Sequence, residues 1–116
     1  MICALIIAFT INITQLNEIS NQLDILITNV ITKPEKDHQK DIDFTESQIK
    51  YLETKNDIED LKTSKAGSVL SLYRQIVYEV EYYIDTKDER LIKSMVTNKI
   101  FADNILDTID TNKKGS

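Results

Sequence analysis

Residues 68–85 read SVLSLYRQIVYEVEYYID. Within them Val69, Leu72, Tyr73, Ile76, Val77, Val80, Tyr83 and Ile84 recur three and four positions apart. That is the period of an α-helix with one buried stripe, whereas a half-buried strand would alternate every second residue. The spacing predicts a helix over 68–85. Ser68 is placed to cap it, and Gly67 is placed to close the helix before it.

Downstream, a short turn near Asp85–Lys87 leads into a second stripe. Leu91, Ile92, Met95, Ala102, Ile105, Leu106 and Ile109 face one way, which predicts a helix over 88–109. The polar residues 111–116 are expected to form a disordered tail. Upstream, Thr45 and Gln48 have the spacing of a capping box, with Phe44 and Ile49 as its hydrophobic staple. They predict a helix over 45–64. Its apolar residues change side, from Ile49 and Leu52 to Tyr51, Ile58 and Leu61, so a kink or loose packing is expected near Asn56 and Asp57.

Pro34 ends the helix before that, since it donates no hydrogen bond and biases the preceding residue away from the α region. The stretch 33–43 is charged and nearly devoid of apolar residues, and reads as an exposed linker. His38, the only histidine, stands there among Glu35, Asp37, Asp41 and Asp43. These are metal-ligand types without the spacing of a recognised metal loop, and a solvated charge run is the preferred reading.

The first 31 residues carry a long amphipathic pattern. Phe9, Leu16, Leu23 and Val30 recur every seven positions, with Ile13, Ile19, Leu26 and Ile27 beside them. A helix over 2–31 would be about 45 Å long. Ile7, Ile11 and Ile25 point away from this stripe, so the first turns are apolar nearly all round and need cover on several sides. Residues 1–13 are too short an apolar run for a membrane span of about 20 residues. They lack the basic start and small-residue cleavage site of a signal peptide. Burial in the protein's own core is the favoured reading, with Ile7, Phe9, Ile11 and Ile13 as core or interface. A membrane anchor and a self-association surface are the alternatives.

Composition agrees with an all-helical chain. Two glycines and one proline in 116 residues cannot supply the tight turns of an all-β fold or a phosphate-binding loop. A hydrophobic content of 41% is enough for a core. The net charge of −5 argues against nucleic acid as a partner, because such affinity rests on lysine and arginine at phosphates. The single Cys3 rules out an internal disulfide and a cysteine zinc cluster, which leans towards a cytoplasmic location while leaving membrane and secreted ones open. The wealth of Ile, Asn, Lys, Asp and Thr fits an AT-rich genome.

No catalytic constellation stands out. One histidine in a linker makes a nucleophile–histidine triad improbable, and the many carboxylates lack the Glu-x-x-His pairing of a di-metal bundle. No cofactor and no metal site is expected. The most suggestive feature lies on the 68–85 helix. With Val69–Ile84 facing the core, Tyr78 and Tyr82 project from the opposite face, one turn apart, with Arg74, Glu81 and Asp85 around them. Tyrosine and arginine are common anchors of protein interfaces. The plainer alternative is that both tyrosines pack on a neighbouring helix.

The expected fold is therefore all-α, an antiparallel four-helix bundle with helices at about 2–31, 45–64, 68–85 and 88–109. It would form one domain over 1–110. The expected role is a non-enzymatic protein-interaction module of the inhibitor, immunity, adaptor or accessory type. A membrane-associated protein anchored by its start, or a self-assembling structural protein, are the alternatives.

Overall fold

The computed structural model describes residues 11–110, which are 85% helical and contain no strand. Five helices follow in order: α1 (Ile13–Thr32), α2 (Gln39–Lys55), α3 (Ile58–Thr63), α4 (Lys65–Thr86) and α5 (Arg90–Ile109). The all-α class holds. Several boundaries differ from expectation, each for a local reason.

An uninterrupted helix over 2–31 is corrected. Asn12 is extended (φ −73°, ψ 114°), and its side-chain oxygen accepts the Gln15 backbone N–H at 3.2 Å, which makes it the N-cap of α1. Ile7 and Phe9 lie outside the described residues. Ile11, expected to point away from the stripe, is buried in the core. It precedes the helix, so its position on a helical wheel does not apply. Ile13 is half-buried against the core, and Ile25 is exposed as expected.

The expected capping box is also corrected. α2 starts at Gln39, where Asp37 Oδ1 accepts the Gln39 N–H at 2.9 Å. Thr45 is buried in mid-helix, and its hydroxyl donates to the Asp41 carbonyl at 2.7 Å. A helical threonine can satisfy its hydroxyl this way, so the spacing to Gln48 marked no terminus here. Phe44, without a staple to make, is exposed. The linker shrinks to 33–38. His38 is buried within it, its Nε2 lying 2.7 Å from the Lys33 carbonyl oxygen, and it is no solvated charge.

The expected kink is a full break. Asn56 is extended, and Asp57 caps the short α3 by accepting the Glu59 N–H at 2.8 Å. Gly67 and Ser68 do not play their expected parts. Ser64 caps α4, accepting the Gly67 N–H at 2.9 Å, and Gly67 sits in the first turn. A Cβ on Gly67 would overlap the Leu61 carbonyl, so the glycine is what lets α3 fold back against α4. At its other end α4 stops at Lys87, which is left-handed (φ 57°, ψ 26°) and donates its N–H to the Tyr83 carbonyl. Asp88 then accepts the Arg90 N–H at 3.0 Å and starts α5.

α4 packs against each of the other four helices, most extensively α5, and α1 also touches α2 and α5. Leu16, Leu23 and Val30 of α1, Ile42 and Ile49 of α2, Tyr73, Ile76 and Val80 of α4, and Met95 and Leu106 of α5 form the centre of the core. Burying each large aliphatic side chain contributes about 1.5–3 kcal/mol.

Candidate interaction surface

With its inner stripe in the core, α4 turns a second stripe outward. Ser68, Ser71, Gln75, Tyr78, Tyr82 and Asp85 are spaced three and four apart and are all exposed. Tyr78 is 49% exposed and Tyr82 65%. Neither is packed away against a neighbouring helix.

Arg74 borders this face and is held by α2. Its Nη2 donates to Glu53 Oε1 at 2.6 Å and its Nε to Glu53 Oε2 at 3.0 Å, a two-bonded fork. Glu46 stands 3.9 Å from Nη1. The guanidinium also lies 5.9 Å from the centre of the Tyr78 ring, within cation–π range. The bonds to Glu53 push its pKa above the usual arginine value and so fix its charge.

Glu81 and Asp85 complete the set. Partial burial raises the Glu81 carboxyl above the usual range, and the neighbouring charges of Glu46, Asp43 and Asp85 push the same way. Arg74, already occupied by Glu53, offsets this only in part. Glu81 and Asp85 have no hydrogen bond or ion pair among the described residues. Beside them an open groove of about 420 Å³ runs between α2 and α4, lined by Asp43, Glu46, Ser47, Lys50, Glu53 and Arg74. Of the five residues singled out from the sequence, Arg74 and Tyr78 are in direct contact, Glu81 and Asp85 share a field, and Tyr82 is the more exposed of the two tyrosines.

A second polar cluster escaped the sequence reading. Lys99 of α5 is 4% exposed, and its Nζ reaches Asp103 Oδ2 at 2.7 Å, Asp24 Oδ1 at 2.8 Å and Ser20 Oγ at 2.9 Å. Ser20 donates in turn to Asp103 Oδ1 at 2.8 Å. Between α4 and α5, buried Glu79 accepts from Asn98 Nδ2 at 2.9 Å and from the Ser94 hydroxyl. The tyrosine hydroxyl of buried Tyr73 donates to the Leu16 carbonyl at 3.3 Å. Burial raises the Tyr73 pKa, with Asp103 and Asp24 adding to the rise and the Ser20 hydroxyl opposing it. Here Ser20, Lys99, Glu79 and Tyr73 are buried and paired, while Asp24 and Asp103 reach solvent.

Among the described residues, no group of three or more histidine, cysteine, aspartate and glutamate side chains is placed to hold a metal ion. No described helix is long and apolar enough to cross a membrane. No protein-family model, curated protein or solved structure matches this chain.

Proposed function

We propose that this chain is a non-enzymatic protein-interaction module, of the inhibitor, immunity, adaptor or accessory type, that binds through the outward face of α4. The observation that carries this reading is the pair of exposed tyrosines, one turn apart, on the helix that packs against each of the other four described helices. Tyrosine gives an interface a large contact area with a polar end, at a low cost in side-chain entropy. The backbone beneath is held by the most connected element of the fold, and Tyr78 is braced by the clamped Arg74. A surface set on so fixed a support loses little freedom on binding. We further propose that α1, α2, α4 and α5 form an antiparallel four-helix bundle, with α3 as a brace. In support, α1 and α4 each touch α2 and α5, and the connections are short.

The test places a photo-crosslinking residue at Ser71, on the same face, in the protein's own cells. A defined protein adduct is expected, and Tyr78→Ala with Tyr82→Ala should abolish it while leaving the circular dichroism melt intact. An adduct that survives the double substitution, or forms equally from position 25 on α1, would show that the α4 face is not the site.

A second reading, self-association, rests on Val96, Ile100 and Phe101, which are exposed on α5. Light scattering on the purified chain decides it. A dimer lost on Phe101→Ser and Ile100→Ser would move the interface to α5.

A further inference from the structure

We propose that the tyrosine face receives an arginine-bearing, positively charged segment of a protein partner, with an incoming guanidinium stacked on Tyr82 and paired with Asp85 and Glu81. This inference rests on the proposed function and adds the chemistry of the partner to it.

The molecule already holds one arginine in this way. Arg74 is gripped by the Glu53 carboxylate through two parallel bonds and laid against the ring of Tyr78. Carboxylate fork and aromatic face are the two features that favour arginine over lysine. One turn further along α4, the same ingredients recur without the cation. Tyr82 is the more exposed ring, and no lysine or arginine among the described residues lies over it, whereas Tyr51, Tyr78 and Tyr83 each have one. Asp85 follows Tyr82 by three positions and Glu81 precedes it, and neither is bonded.

The surrounding charge points the same way. Asp43, Glu46 and Glu53 line the α2–α4 groove with Lys50 and Arg74, and Glu81 lies in the field of Asp43, Glu46 and Asp85. The chain's mild average acidity hides this local excess. Carboxylates crowded on a partly buried wall repel one another, and an arriving cation relieves that repulsion where an anionic or neutral partner would not. The same field disfavours the phosphates of nucleic acid and anionic lipid.

The experiment selects binders to the full chain from a random displayed peptide library and sorts them by whether Tyr78→Ala with Tyr82→Ala removes binding. The expected result is a tyrosine-dependent set enriched in arginine and in net positive charge. For its strongest member, Glu81→Gln with Asp85→Asn should weaken binding about tenfold at low salt and less as salt rises. Tyrosine-dependent peptides without basic enrichment, or a loss below threefold in the charge variant, would overturn the arginine proposal and leave the tyrosine face standing. A library whose binders all ignore the tyrosines would overturn both.

Discussion

Two seams of this molecule each hold a cation between two carboxylates, and they differ in what is left over. At the α1–α5 seam, Lys99 is buried and its ammonium reaches Asp24, Asp103 and Ser20, with Ser20 and Asp103 also bonded to each other. At the α2–α4 seam, the Arg74 side chain is 23% exposed, and beyond its pairs with Glu53 and Glu46 lie Glu81, Asp85 and two exposed rings. The first seam is closed around its cation, whose three donors are all taken, although Asp24 and Asp103 themselves reach solvent. The second keeps charge and aromatic surface in reserve. Saturation and burial thus separate a structural ion pair from a binding surface that shares its residue types.

The sharpest way to break this comparison is Lys99→Met. It removes a buried cation and leaves Ser20, Asp24 and Asp103 without it. Stranding a fully buried charge costs about 3–5 kcal/mol, but the carboxylates left here are 61% (Asp24) and 38% (Asp103) exposed, which brings the expected loss down to about 2 kcal/mol. The urea unfolding midpoint reads the loss. Adding Asp24→Asn and Asp103→Asn should recover part of it, because no charge is then left unpaired. A single-variant loss below about 1 kcal/mol would mean that the closed seam behaves like a surface pair.

Tyr73 tests the same interior with a smaller effect. Tyr73→Phe removes one buried hydrogen bond to Leu16 and should cost about 1 kcal/mol. The phenol's pKa is raised in the folded chain above its ordinary value of 10.0. A group with a raised folded pKa contributes stability that is complete below the unfolded pKa and lost as pH rises through the folded one. Wild-type stability should therefore hold below pH 10 and decline above it, and Tyr73→Phe should flatten that decline. Identical alkaline profiles for the two proteins would show that Tyr73 takes no part in it.

What the sequence disclosed follows the same division. The stripes of α4 and α5 were plain because three–four spacing directly reports one buried face. Tyr78, Tyr82 and Arg74 were found because a residue opposite a stripe must point outward. Lys99 was legible in part: it stands four residues after Met95 and three before Ala102, a core position holding a cation. Ser20, between Leu16 and Leu23, and Glu79, between Ile76 and Tyr83, carry the same mark. Their partners were not legible, since pairing depends on which helices become neighbours. The terminus signals failed for a related reason. Threonine, serine and glycine have more than one use in a helix, and only the packing of Leu61 on Gly67 or the bond from Thr45 to Asp41 decides which one applies.

The smallest effect falls at the open seam, and it is the most discriminating. Arg74→Met removes a fork that is partly solvated, so the attraction lost is only about 0.5–1 kcal/mol. The substitution also frees Glu46, Glu53 and Glu81 to repel one another, a cost that salt screens over about 10 Å at 0.1 M. The loss should therefore be largest in dilute buffer and shrink towards zero at high salt, while the loss from Lys99→Met changes less, because the Lys99 ammonium is itself buried even though Asp24 and Asp103 reach solvent. Unfolding curves for both variants at low and high salt measure the two slopes. Equal salt dependence would erase the distinction between a closed and an open seam, and with it the charge argument that sets the α2–α4 seam apart, leaving the exposed tyrosines alone to mark α4.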